Sequence, residues 1–292
     1  MSNKLLDNIN LQNLKRMSAD ELVELSGEVR QFLIDSNSTT GGHIGANLGT
    51  VELSVVLHYL FNSPEDIFVW DTGHTGYTHK ILTGRLDNFK TLNTYGGMNR
   101  FISRFESEHD YIEASHAGTS ISVALGRALS LRNKERKEWS IAIIGDGALA
   151  EGIALEALNH ASVEKNVNLM IVLNDNGYAI SPGFGALHEY LKKRTVNSNT
   201  PDTLFTSLGY KLVGPVDGHS IKSLIEAFDE AKNSKEVCVV HIKTEKGYGL
   251  PSATSHPFKL HFSFPFDPKT GVALDQMQSL NYQDIASQAV ED

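Results

Sequence analysis

Ser140-Ile141-Ala142-Ile143-Ile144-Gly145-Asp146-Gly147-Ala148 opens the stretch whose reading decides the fold, and Leu169-Met170-Ile171-Val172-Leu173-Asn174-Asp175-Asn176 closes it. Ile141 to Ile144 is a short apolar run that meets a glycine, as a buried parallel strand does before its turn. Ala148 to Ala161 is rich in Ala, Leu and Glu and suits a crossover helix. Leu169 to Leu173 reads as the next strand. The whole is a βαβ unit, and its two loops fall at the carboxyl ends of the strands, where open α/β sheets place their ligands.

The chemistry of those loops is specific. Glycines let a backbone approach a diphosphate, and a helix start offers it free N–H donors. Asp146 brings a carboxylate oxygen and Asn176 a neutral amide oxygen. With a backbone carbonyl from the following turn they suit a hard octahedral cation that also holds phosphate oxygens. An ordinary Gly-Asp-Gly turn is the plain alternative. A strand, Gly-Asp-Gly, a crossover and a second strand ending in Asn is a much rarer combination.

This pattern resembles the thiamine-diphosphate and magnesium motif of the transketolase superfamily, which starts at Gly-Asp-Gly and closes on an Asn. The resemblance implies Asp146, Asn176 and the main-chain oxygen of Tyr178 as magnesium ligands. It further implies Gly147, Ala148, Asn176 and Phe264 at the cofactor.

Composition narrows the alternatives. A chain of 292 residues with 40% apolar residues can bury a sizeable core, and α/β sheets of this length often form one domain. The formal charge of −9 argues against nucleic acid or an anionic membrane as the main partner. The single cysteine, Cys238, sits in an apolar run and reads as a small buried hydrophobe. No run of about 18 apolar residues occurs, so a cytoplasmic protein is expected.

Along the chain, residues 1–17 read as a loosely ordered arm, and Ser18-Ala19-Asp20-Glu21 as a capping box opening a helix. The expected division is arm and helix over 1–34, an α/β domain over 35–275 and a tail over 276–292. Four glycines then surround His43, ahead of an apolar helix from Val51 to Phe61. Ile67 to Trp70 is a strand, with His74 between glycines after its end. Glu106-Ser107-Glu108-His109-Asp110 reads as a solvated acidic face. The small-residue loop from Glu113 to Ser122 leads into a helix and reads as an anion or cofactor cradle. Beyond Asn176 we expect a helix near Gly185 to Lys193, a polar surface loop over Lys192 to Thr200 and a short helix over Leu204 to Leu208. A strand over Tyr210 to Val213, a helix capped by Ser220 and the Cys238 strand follow. Strands alternating with helices from about residue 65 to 244 predict one doubly wound, mostly parallel sheet with helices on both faces.

Across roughly residues 35 to 275 the chain is more similar to deoxyxylulose-phosphate synthases than to transketolases, through Trp70 to Arg85, Gly214 to His219 and Phe266 to Gly271. The resemblance implies that His43 faces the reacting carbons and that His74 contacts the cofactor near the diphosphate and reacting centre. Ser115-His116-Ala117 is similar to the synthases' Gly-His-Ser-Ser-Thr-Ser, with Ser115 replacing the glycine and Ala117 the first serine, which implies cofactor contact by all three. His43, His74 and His116 are the expected catalytic histidines, titrating near neutral pH. Two departures stand out: the synthases carry a further segment between Tyr190 and Pro201, and a lysine where this chain has Pro265.

The resemblance also implies a pyrimidine-binding domain, whose glutamate activates the cofactor and which none of the 292 residues supplies. The expectation is the diphosphate-binding subunit of a split thiamine-dependent carboligase, a homodimer joined to two partner subunits in a heterotetramer. Its substrates would be a keto acid or ketose phosphate and an aldehyde. A transketolase subunit and a non-catalytic cofactor-binding protein are the alternatives. A dinucleotide oxidoreductase is disfavoured, since no Gly-x-Gly-x-x-Gly opens the first strand–helix turn.

Overall fold

The computed structural model describes residues 5–196, 204–274 and 282–291. In chain order, α1 (Leu11–Leu14), α2 (Ala19–Thr40), α3 (Ile44–Leu48) and α4 (Val51–Leu60) precede β1 (Ile67–Trp70) and α5 (Tyr77–Lys80). Then come α6 (Ser120–Asn133), β2 (Ser140–Gly145), α7 (Asp146–Leu149), α8 (Gly152–Ala161) and β3 (Leu169–Asp175). The chain continues through α9 (Ala186–Lys192), β4 (Lys211–Asp217), α10 (Ile221–Lys232), β5 (Cys238–Lys243), α11 (Pro251–Ser255) and α12 (Tyr282–Glu291).

The five strands form one sheet in the order β1-β2-β3-β5-β4, every pair parallel. Alternation along the strands divides the core in two. Phe68, Trp70, Ile141, Ile143, Met170, Val172, Val240 and Ile242 pack with residues of α2, α4 and α10. Ile67, Val69, Ala142, Ile144, Leu169, Ile171 and Val239 pack with α6 and α8 on the other face. Helices on both faces explain why these strands are apolar along their length instead of alternating. Among the described residues, no helix is long and apolar enough to cross a membrane.

Several expectations are corrected. Residues 5–17 are not a loose arm: a 3-10 turn at Leu6–Asn8 and α1 fix them, with Leu6 and Leu14 buried. The Ser18–Glu21 capping box is present, but its helix runs to Thr40, so the boundary expected after residue 34 falls inside α2. The crossover helix after β2 is broken into α7 and α8 around Ala150 and Glu151. Leu204 to Leu208 forms turns, not a helix, and the polar loop before it lies partly outside the described residues.

The acidic stretch near residue 108 is the largest correction. Asp110 is 3% exposed. Its carboxylate accepts from both Arg85 Nη atoms, at 2.6 and 2.9 Å, and from His79 Nε2 at 2.9 Å. Glu106 pairs with the buried ammonium of Lys80. Burial alone would raise the Asp110 carboxyl, but its bonds to His79 and Arg85 prevail and hold it well below the usual carboxylate range. Lys80 also donates to the Asn99 carbonyl at 2.7 Å, so the network anchors residues 99–114 to the helix after β1.

Candidate active site

Gly145 at the end of β2 lies in register with Asn174 near the end of β3, which brings Asp146 and Asn176 side by side. The Asn176 N–H donates to Asp146 Oδ1 at 3.3 Å, and Asn176 Oδ1 accepts from the Tyr178 N–H at 3.0 Å. A Cβ at Gly147 would stand 2.7 Å from that of Ala179, so glycine is what lets these two loops meet. Asp146 is 6% exposed. Burial, and then the nearby Asp175, pushes its carboxyl up to about 7. Asp175 is paired with Lys243 at 2.6 Å and bonded to His241 at 2.7 Å, whereas Asp146 makes no ion pair among the described residues and feels Lys243 only at longer range.

These donors fit a magnesium ion. Among the described residues, no group of three or more His, Cys, Asp and Glu forms a metal site. A cation here therefore takes mixed oxygen donors: one buried carboxylate, one amide and one carbonyl, the hard set that divalent magnesium accepts beside phosphate oxygens.

The loops open into a cleft of about 420 Å³. It is lined by His43, His74, Ser115, Ala117, Gly147, Ala148, Asn176 and Tyr178 among the expected residues. His116, Phe264 and Asp146 do not line it: the side chains of His116 and Phe264 are exposed, and Asp146 is buried behind Asn176. The loop before α6 does not offer its amides as an anion cradle, because the Asp71 carboxylate already accepts from the N–H groups of Gly118 (2.8 Å) and Ser120 (3.0 Å).

At the other end of the cleft the His43 ring lies 5.2 Å from that of His74, 5.5 Å from that of His261 and 5.1 Å from that of Phe262. One buried amide, Asn47, sets the two glycine-flanked histidines: its Nδ2 donates to the carbonyls of His43 and His74, and its Oδ1 accepts from the Tyr77 N–H. His261 arrives from the far end of the chain, where Gly42 and Ser263 exchange backbone hydrogen bonds and Gly45 donates to the Leu260 carbonyl. A Cβ at Gly45 would be 1.8 Å from the Lys259 carbonyl, so this contact requires glycine.

The imidazoles do not titrate near neutrality as expected. Burial, with His261, Arg100 and Lys246 adding to it, lowers His43 to about 3. Burial and His43 hold His74 well below its ordinary value, and burial brings His261 to about 4. All three are neutral at pH 7, able to accept a proton or a hydrogen bond. The Nδ1 atoms of His43 and His74 are buried and, among the described residues, have no hydrogen-bond partner.

Lys246 joins the two ends. Its ammonium donates to the Ala179 carbonyl and lies 3.0 Å from His261 Nδ1; burial lowers it to about 8. The turn that carries it is braced from behind. Arg30 of α2 pairs with Glu52 of α4, whose Oε2 lies 3.2 Å from His219 Nδ1. His219 Nε2 accepts from the Glu245 N–H at 2.8 Å, and its ring stacks on Tyr248 at 3.7 Å. Asn47, Asp71, Lys246 and His261 were missed in the sequence. Lys246 had a usable signal, since Lys-Gly-Tyr-Gly follows a strand end just as the His74 loop does. His261 had none, because only the distant Gly42–Ser263 pairing places it.

A family profile described as 1-deoxy-D-xylulose-5-phosphate synthase matches residues 6–202 and 192–244. The synthase of Alkaliphilus oremlandii is 40% identical over 98% of this chain and 52% of its own length, and that of a Polaromonas species 41% identical over 92% and 48%. The chain thus spans about half the length of the curated relatives it matches. Among solved structures, transketolase from Campylobacter jejuni is similar with a TM-score of 0.72 at 20% identity, over 94% of this chain and 47% of that one. The Leishmania mexicana transketolase gives 0.69 at 19%, over 94% and 44%, and at such identity both show a shared fold. With the profile covering most of its length, the chain belongs to the 1-deoxy-D-xylulose-5-phosphate synthase family.

Proposed function

We propose that this chain is the diphosphate-binding half of a thiamine-diphosphate-dependent carboligase of the deoxyxylulose-phosphate synthase type. One observation carries the reading: a single cleft is lined by Asn176 and Tyr178 as well as by three neutral imidazoles, and the Asp146 carboxylate lies buried directly behind Asn176. Asp146, Asn176 and the Tyr178 carbonyl would hold magnesium, with Gly147, Ala148 and the Lys246 ammonium beside the diphosphate. When bound, thiamine diphosphate supplies the nucleophilic carbon that the side chains here lack. His43 and His74, assisted by His261, orient the carbonyl of a keto acid and the hydroxyl formed from an aldehyde, and take or return a proton there. Burial of the cleft keeps water from competing for these groups.

The pyrimidine-binding half is assigned to a separate subunit, with two copies of each chain in the assembly. Apolar side chains around the cleft support this: Ile180 is 63% exposed, Ile153 46% and Phe264 57%. Surface of this kind marks an interface.

The test is calorimetric titration of thiamine diphosphate with and without Mg2+, followed by assay with a pyrimidine-binding subunit against pyruvate and ketose phosphate donors. Magnesium-dependent binding and pyruvate-dependent carboligation are expected. Absence of cofactor binding by the assembled protein would remove the reading. In the same assay, His43→Ala and His74→Ala are each expected to lower turnover by roughly 10²-fold or more, with cofactor affinity within a few-fold of the parent for His43→Ala. Full turnover by either variant takes that histidine out of the chemistry.

A further inference from the structure

We propose that Arg100 anchors an oxyanion group of the substrate, a carboxylate or a phosphate, beside the His43 end of the cleft and apart from the diphosphate end. The proposal rests on the reading that a carbonyl substrate reaches His43.

Among the described residues, the Arg100 guanidinium has no hydrogen bond or ion pair, while the cations around it are engaged. Arg85 binds Asp110, Lys80 binds Glu106, and Lys246 binds the Ala179 carbonyl. Arg100 instead lies 5.4 Å above the Phe262 ring, whose centroid is 5.1 Å from that of His43. Its neighbour Phe101 lines the cleft and sits 5.5 Å from His43. Arg100 is also one of the cations that keep His43 neutral, which places its charge within electrostatic reach of that ring. Asp146 and Asn176 stand at the other end, past Tyr178, Lys246 and His261.

The mount is rigid although the side chain is exposed. The Asn99 carbonyl accepts from Lys80, the Phe101 N–H donates to Asn99 Oδ1 at 3.0 Å, and the Ile102 N–H donates to the Gly73 carbonyl at 3.1 Å. The nearest carboxylate on this segment, Glu106, is already bonded to Lys80 and to the Asn99 N–H. A guanidinium resting over an aromatic face keeps donors of its planar fork free, and that fork grips carboxylate and phosphate in pairs. In a chain of net charge −9, a free cation beside the reacting end is placed to receive an anion. Arg104 gives the contrast: it lies 5.2 Å from the Phe105 ring, and among the described residues that ring, unlike Phe262, makes no contact with His43.

The test follows the His43 imidazole signal by NMR in the full chain, titrated with pyruvate and with glycerol 3-phosphate against potassium chloride at equal ionic strength. A saturable shift with one of the two is expected, and which one identifies the oxyanion. Arg100→Ala should weaken that response by at least about tenfold, Arg100→Lys should recover part of it, and Arg104→Ala should match the parent. A response no different from chloride, or unchanged in Arg100→Ala, overturns the proposal. Thiamine diphosphate with Mg2+ is titrated in parallel, and Arg100→Ala should bind it within about twofold of the parent. A loss of cofactor affinity as large as the oxyanion loss would place Arg100 in the diphosphate cradle and overturn the proposal. Failure of the parent to bind cofactor, with an Arg100-dependent oxyanion response intact, would instead fell the cofactor reading and leave this one standing.

Discussion

Asp146→Ala is expected to weaken magnesium-dependent binding of thiamine diphosphate by about 10³-fold, or about 4 kcal/mol. The other two donors, the Asn176 amide and the Tyr178 carbonyl, are neutral, so Asp146 brings the only formal charge to the cation. That charge is costly before the cation arrives, since burial and Asp175 push the carboxyl up to about 7. Binding a divalent ion removes the strain, and alanine forfeits that gain. In the cofactor-free protein the substitution removes a buried carboxylate that, among the described residues, is held by the 3.3 Å contact from the Asn176 N–H and by its own backbone N–H, with no ion pair. The cofactor-free variant should therefore melt at or above the temperature of the parent. Calorimetric titration and a thermal scan check both halves; an unchanged affinity would refute the metal assignment.

Asp110→Ala should lower unfolding stability by about 3 kcal/mol, because it leaves the buried Arg85 charge with only the longer 3.5 Å contact to Glu106. The sign with pH follows from the depressed carboxyl. Its stabilisation is fully present above the unfolded value near 3.8 and is lost progressively as pH falls below that. Urea unfolding at pH 7 and near pH 3 measures it: the gap between parent and variant should narrow in acid. A gap that is small at pH 7, or that does not narrow, contradicts the role given to this pair.

That network also shows where sequence reading stops. Asp110 and Glu106 sit in a run of charges, which on its own describes a solvated face; their partners Arg85, His79 and Lys80 lie on another segment, and only the fold brings them within reach. The strands were legible because each apolar run ends in a glycine or a polar loop, and β1 falls on Ile67–Trp70 as read. The break at Ala150 was hidden by good helix formers on both sides. At the site, Asp146 and Asn176 were legible because one βαβ unit carries both. The cradle expected before α6 was not, because Asp71, far upstream, takes the amides that local sequence leaves free.

The chain from Arg30 to Lys246 bears on how this protein can be cut. A fragment beginning at residue 35 would keep every cleft-lining residue, since none lies upstream of His43. It would nonetheless lose Arg30, which bridges Glu52 and the carbonyls of Leu48 and Tyr248. Glu52 would be left with a buried charge and His219 as its only remaining side-chain partner, and the turn holding Lys246 would lose its buttress. Helix α2 is thus a foundation of the cleft it never touches, and a minimal cofactor-binding fragment has to start ahead of Ser18.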